Sequence, residues 1–383
     1  MNRLLSLAAL CGSLLFLAAC SEDATTVGID LIEEQSGDPF VVNVTPTSLA
    51  ATERTDITGN MPRILAGRVT DPLLGTYTAT GYFDFTAPTD VPDEFRTGPI
   101  NEVVLVLRPN YVYGDTTATI SLNLRDIPTS WDELGVGADT TITTSDLITT
   151  ISFAATDTLI NVTMPQDWIT RQSDLLRGEN FIEDFFGIAF EVADGSGNAV
   201  IGFETTNTGI EITSGGELER YGVVQTVTSI RNEGSTSIDV PVLRDGLSSG
   251  VAVSFDLDAA NLGANPVNRA VMRFPLDDAM RTADLPANFV RPQLERVGLF
   301  AVVEDSDPQL IEEIAPDEDG TLTFTDASIQ RAIQRTLLGT DTFEEYLLAI
   351  PSSLNTLDVL FFDRIIADSP DGPTLVLTIT PTE

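Results

Sequence analysis

Beyond residue 40 the chain is cut into short runs rich in Val, Ile, Phe, Thr and Leu, each bounded by Gly, Pro, Asn or Asp. Side chains branched at Cβ fit a pleated, half-buried surface and the bounding residues favour turns, so such runs read as strands. They fall at 41–49, 77–85, 100–108, 118–126, 186–192, 199–204, 250–256, 267–274, 297–304, 357–363 and 374–380. Ser121-Leu122-Asn123-Leu124-Arg125 and Val251-Ala252-Val253-Ser254-Phe255 alternate apolar with polar, the pattern of a strand with one buried face. Two segments break the pattern with helical spacing, 166–177 and 327–338. The second has Asp326 placed to cap its start, Ile329, Ile333 and Leu337 on one face, and Gly339 at its end.

Each helical segment follows a short alternating strand, at 159–163 and 322–325. Each carries a Leu-Leu pair before a glycine, Gly178 or Gly339, and leads to a closing strand at 209–213 or 374–380. This weak internal repeat predicts a mainly β chain of two tandem, jelly-roll-like β-sandwich domains, each with a short helix capping an edge, at 41–214 and 222–383. Ser214-Gly215-Gly216-Glu217-Leu218-Glu219 reads as the linker between them.

The first forty residues have a different character. Arg3 is followed by an apolar run from Leu4 to Ala19, and Cys20 is followed at once by Ser21, Glu22 and Asp23. The run is shorter than the roughly 20 apolar residues of a membrane-spanning helix and has the layout of a secretory signal. Leu17-Ala18-Ala19-Cys20 resembles the lipobox of bacterial lipoproteins, which implies cleavage after residue 19 and acylation of Cys20. The mature protein would then be held to a membrane by lipid. Ser21-Glu22-Asp23 resembles the export signal of Bacteroidota surface lipoproteins, and 20–40 reads as the lipidated terminus and a polar stem. Cys11 lies inside the removed segment, so the folded part would hold no thiol and no disulfide.

Charge narrows the partners. The chain carries 58 acidic and 20 basic residues, every basic one an arginine, with no lysine and no histidine, for a net charge of −38. Such a field repels nucleic acid and anionic lipid surfaces. At about 1 M salt the Debye length falls to about 3 Å and self-repulsion is screened. The composition therefore resembles that of proteins from salt-adapted bacteria. Asp256 with Asp258, Asp305 with Asp307, and Asp317-Glu318-Asp319 are acidic clusters, but none has calcium-loop spacing, and they read as turns rather than metal sites.

Lacking histidine, lysine and a free thiol, the chain has no means of building a His-based triad, a Schiff base, a thiolate nucleophile or a His or Cys zinc site. No cofactor is expected. A carboxylate pair of the glycosidase kind is the one catalytic device left, and 58 acids without distinctive spacing nominate no pair.

Two resemblances follow. Thr26-Val27-Gly28-Ile29-Asp30-Leu31 and Leu65-Ala66-Gly67-Arg68-Val69-Thr70-Asp71-Pro72-Leu73-Leu74-Gly75 resemble a Bacteroidota lipoprotein family catalogued as domain of unknown function 4270. That implies an outer-membrane or surface lipoprotein with no known activity. Ile100-Asn101-Glu102-Val103-Val104-Leu105, Ile127-Pro128-Thr129-Ser130-Trp131, the helix with Trp168, and Phe186-Gly187-Ile188-Ala189-Phe190 are similar to DNRLRE-type sandwiches, which include carbohydrate-binding modules. By that resemblance Trp131 and Trp168 are candidates for stacking on a sugar ring. The reading is of a non-catalytic outer-membrane lipoprotein working in binding, adhesion or envelope assembly, with a glycan or another envelope protein as partner. A glycan binder would expose a flat aromatic surface; an assembly module would expose an apolar patch or a free strand edge.

Overall fold

The structure is a computed structural model and describes residues 37–53, 58–134, 136–177, 181–234, 238, 240–247, 249–303, 307–340, 343–351, 356–365 and 371–381. The fold is mainly β, built as antiparallel sandwiches with a few short helices. A first sandwich is built on a twelve-stranded sheet that branches at Gly75–Thr86, its twelfth strand, the two-residue Phe289–Val290, reaching in from the second sandwich. Near its start this strand pairs with Arg63–Asp71, and at residues 81–83 it pairs with Ile188–Val192. Glu217–Glu233 runs along its other side. One arm continues through Ala199–Glu204 and Pro109–Asp115, a second through Thr119–Asp126 to Leu147–Ala154, and a third through Gly209–Ser214 and Ile100–Leu107 to Ile160–Thr163. The arms fold over one core, to which Ile201 and Phe203, Leu122 and Leu124, and Leu105 and Ile212 all belong.

The second sandwich packs a sheet of Phe40–Val44, Thr374–Ile379, Val267–Pro275 and Thr321–Phe324 on one of Gln309–Ile314, Val297–Val303, Phe343–Ala349, Ser249–Ser254 and Ser48–Glu53. Met272 and Leu375 from the first sheet share a core with Val251, Leu299 and Leu348 from the second.

Both helices lie where the periodicity put them. Gln166–Arg177 follows the edge strand Ile160–Thr163 and buries Trp168, Ile169 and Leu176. Ala327–Leu337 follows the edge strand Thr321–Phe324 and packs on Val267–Pro275. Its start is capped by Asp326, which accepts from the Ser328 N–H at 2.7 Å. At its end Gly339 takes φ +66°, and the N–H groups of Gly339 and Thr340 return to the carbonyls of Thr336 and Arg335. Those two bonds are the Schellman closure, and they need a residue tolerant of positive φ.

The division of the chain differs from the sequence expectation. Phe40–Val44 and Ser48–Glu53 belong to the second sandwich, paired with Thr374–Ile379 and Ser249–Ser254. The first sandwich is thus inserted between the opening strands and the remainder of the second. The expected linker at 214–219 is a tight hairpin: Ser214 pairs with Glu217 across Gly215 and Gly216, at φ +61° and +92°. Two residues with positive φ match the twist of a β-hairpin, so the glycines that suggested a loose tether make a rigid turn.

Between the sandwiches lies a third apolar cluster. Leu65, Val69, Tyr77, Tyr113 and Val200 of the first sandwich pack with Val240, Val242, Phe289, Leu357, Val359 and Phe361 of the second. Phe289–Val290 also pairs directly with Pro109–Asp115. Beside it Arg291 reaches Asp71 with both side chains fully buried, Nε to Oδ2 at 2.7 Å and Nη2 to Oδ1 at 2.8 Å. Tyr113 donates to Asp71 Oδ2 at 2.7 Å, and the N–H groups of Leu73 and Leu74 donate to Oδ1. The remaining guanidinium nitrogen donates to the carbonyls of Met280 and Arg281. Burial by itself would raise the Asp71 pKa; the hydrogen bonds from Arg291 and Tyr113 and the Arg291 charge outweigh it and hold the carboxyl below its ordinary value.

Two outcomes follow for stability. Limited proteolysis should leave Gly215–Gly216 intact and release no independent halves, and calorimetry should show coupled unfolding; two separate fragments cut at that turn would refute the insertion. Arg291→Met strands a buried carboxylate and should cost about 3–5 kcal/mol in urea titration, whereas a loss below about 1 kcal/mol would mean that the seam does not rely on the pair.

Candidate functional site

Cys20, Ser21, Glu22 and Asp23 lie outside the described residues. Trp168 is turned into the core, which corrects the expectation that it stacks on a sugar. Trp168 is fully buried, donates from Nε1 to Asp126 Oδ1 at 2.8 Å and sits edge-on to Phe185. Trp131 is half-buried against Tyr82, Ile127, Ala189 and Val227, and its Nε1 donates to the Phe186 carbonyl at 2.8 Å. The ring of Trp168 is covered, and in each case the one donor is satisfied. The acidic clusters close turns: Asp256 accepts from the Ala259 N–H, and Asp317 from the N–H groups of Asp319 and Thr321. Asp305 lies outside the described residues. Among the described residues no three acidic side chains converge on a metal position.

Two places in the structure do not reduce to packing. The first is a cleft of about 210 Å³ beside the seam, lined by Asp245, Leu294, Glu295, Arg296, Glu313, Ile350, Pro351 and Asp358. Its inner residues Asp245, Leu294 and Asp358 are buried, and at its rim exposed Arg296 pairs with Glu313 at 2.9 Å. The short sheet Val242–Arg244 with Val359–Phe361 brings the two aspartates together, and the Asp245 N–H donates to the Asp358 carbonyl at 3.0 Å. Asp245 Oδ2 accepts from the N–H and hydroxyl of Thr356, at 2.9 and 2.7 Å. Asp358 is held from the other sandwich: the Tyr111 hydroxyl accepts from the Leu357 N–H and hydrogen-bonds the Asp358 carboxylate. Oδ1 of Asp358 is buried without a hydrogen-bond partner. Desolvation, with the Asp245 charge adding to it, lifts the Asp358 pKa to about 6 against the opposing bonds from Tyr111 and Thr356.

The second place is a sheet edge. Among the described residues Leu147–Ala154 pairs with Thr119–Asp126 and with no other strand. Ile148, Ile151 and Phe153 point into the core and Leu147 is exposed. Its eight residues include no charge, glycine or proline. Three other edge strands are blunted: Gln309–Ile314 carries Glu312 and Glu313, while Ile160–Thr163 and Thr321–Phe324 are only four residues long; the edge strand Phe40–Val44 is also neutral but has only five residues. A long, neutral, unpaired edge is the arrangement that proteins ordinarily avoid, because its free N–H and C=O groups template another strand.

Sequence reasoning did not single out either place. Asp245 and Asp358 are 113 positions apart among 58 acids, and only the pairing of Val242–Arg244 with Val359–Phe361 makes them neighbours. Ile148-Thr149-Thr150-Ile151-Ser152-Phe153 carries a readable strand signal, but nothing local in it says that one edge stays unpaired. No protein-family model, curated protein or solved structure matches the chain.

The raised carboxyls predict an unusual pH profile. Asp84, buried beside the Phe85 N–H that it accepts, is also lifted by desolvation to about 6. A carboxyl whose folded pKa lies above its unfolded value supports the fold fully below about pH 4, and that support is lost as the pH rises through about 6. Asp358→Asn should therefore gain on the wild type by about 3 kcal/mol between pH 4 and pH 7 in denaturant titrations, from a shift of about two units. A constant difference across that range would contradict the raised value.

Proposed function

We propose that the chain is an outer-membrane lipoprotein displayed at the cell surface, acting without catalysis as a binding and assembly module. The observation that carries this reading is the neutral strand Leu147–Ala154, whose outer edge pairs with no strand among the described residues, on a chain of net charge −38. Its occupant is an extended segment of another envelope protein, which would add a strand through main-chain hydrogen bonds. Asp146 and Asp157 flank the strand, so a segment with basic flanks fits it better than a second copy of this acidic chain. Attachment through Cys20 and export directed by Ser21, Glu22 and Asp23 complete the reading, and the first described strand, Phe40–Val44, would join the tether to the second sandwich. The glycan-binding alternative loses one of its two stacking candidates, because Trp168 is fully buried. The salt-adapted composition suits a protein facing the medium directly.

Two measurements on intact cells at native salt test this. Protease shaving should remove wild-type protein and spare a Glu22→Ala/Asp23→Ala variant; equal protection of both would place the protein on the periplasmic side. A photo-crosslinker at Thr150, but not one at exposed Leu218, should give a single heavier adduct containing a different envelope protein. An adduct of two copies of this chain, or none, would count against the strand edge as a docking site.

A further inference from the structure

Only the middle of the Leu147–Ala154 edge is open, and which of its groups are open follows from the ladder. In an antiparallel pair, residues that exchange main-chain bonds alternate with residues whose N–H and C=O turn away. The carbonyls of Thr119 and Ser121 accept from the N–H groups of Gly197 and Ala193, on the far side of Thr119–Asp126, while the Ala118 carbonyl accepts from the Ala155 N–H. The pairs Ile120 with Phe153 and Leu122 with Ile151 therefore carry the ladder bonds. Thr150 and Ser152, opposite Asn123 and Ser121, turn their N–H and C=O groups to the open edge. Among the described residues neither has a main-chain partner on that side.

Both ends of this stretch are closed. Ile148 has no residue opposite it, because Leu147 faces Arg125 and Thr149 faces Leu124, and such a bulge bends the strand and ends regular pairing. At the other end Asp157 occupies Ala154: its carboxylate accepts from the Ala154 N–H at 2.9 Å, and its own N–H donates to the Ala154 carbonyl. What is left is 149–153, with Ile151 and Phe153 on the core face. The hydroxyls of Thr150 and Ser152 lie on the outer face, bonded to the side chains of Asn123 and Ser121.

Resting on the reading of this edge as a docking site, we infer that it is specific for a five-residue segment added antiparallel, with apolar side chains at the first and third positions and hydroxyl-bearing ones at the second and fourth. In that direction the second residue exchanges both main-chain bonds with Ser152 and the fourth with Thr150, and antiparallel pairing is the more stable per residue. The first and third lie opposite Phe153 and Ile151 and extend the core face, while the second and fourth continue the outer row of hydroxyls. Basic residues just outside the five meet Asp157 at one end and Asp146 at the other.

The test is fluorescence polarisation of labelled acetyl-Arg-Val-Thr-Val-Thr-Val-Arg-amide with the full chain at fixed ionic strength. N-methylation of both threonines removes the two donors that face the edge and should weaken binding about tenfold or more, whereas N-methylation of the central valine, whose N–H points away, should change it less than about threefold. Ser152→Pro deletes an outward N–H that the ladder does not use, so it should leave thermal unfolding in place and weaken binding about fivefold or more. A further threonine before the first valine, opposite Ala154, should gain less than about twofold on the wild type and about threefold or more on Asp157→Ala. No binding at millimolar peptide, equal sensitivity to the two methylations, or a gain from the extra threonine on the wild type would overturn the inference. The methylation preference without a Thr150 adduct on cells would uphold the edge and dismiss the envelope partner; the adduct without the preference would do the reverse.

Discussion

The buried pair of Asp71 and Arg291 is the interaction on which the arrangement of the two sandwiches depends. Removing two charges from water is costly, and their attraction compensates only where every remaining donor and acceptor is also used. Here Asp71 accepts from Arg291, from the Tyr113 hydroxyl and from two backbone N–H groups, while Arg291 spends its other nitrogen on two carbonyls. An apolar seam alone would tolerate sliding, because apolar contact is non-directional. A slide of this seam would strand a charge, so one relative placement is selected.

Lesser contacts follow from that placement. Arg244 of the second sandwich meets the hydroxyl of Tyr77, and the Leu357 N–H meets the hydroxyl of Tyr111. Tyrosines of the first sandwich thus reach across as donors and acceptors, and one of them engages the carboxylate that gives the cleft its character. The cleft lies against the second sandwich but is conditioned by the first. Loosening the seam would change its electrostatics without altering any residue that lines it.

How much of this was legible depended on whether a signal was local. The alternation around Leu122 and around Val253, the helix of Trp168, and the capped helix from Asp326 to Gly339 are all decided within a few residues, and they lie where the sequence reading placed them. Gly215–Gly216 was ambiguous between tether and hairpin; what decides it is the ladder that Glu217–Glu233 forms with Gly75–Thr86, about 140 positions away. The pairing of Phe40–Val44 with Thr374–Ile379 is more distant still, and no composition shift marks it. The packing of the tryptophans was not legible locally, because the groups that take their N–H bonds, the Phe186 carbonyl for Trp131 and Asp126 for Trp168, lie far along the chain.

The pairing of Phe40 with Ile379 also orders events in time. A chain that emerges N-terminus first can assemble the strands of the inserted sandwich, from Arg63 to Glu233, while the later part is still to come. The second sandwich cannot close until its last strand arrives to sit beside its first. Until then Phe40–Val44 and Ser48–Glu53 are unpaired flanks, and Asp71 waits at an open surface for Arg291, some 220 residues downstream. Partly assembled chains with open strands are the species that aggregate. A heavy surplus of like charge keeps such chains apart during that interval, so the acidity of the sequence serves the unfinished molecule as well as the finished one.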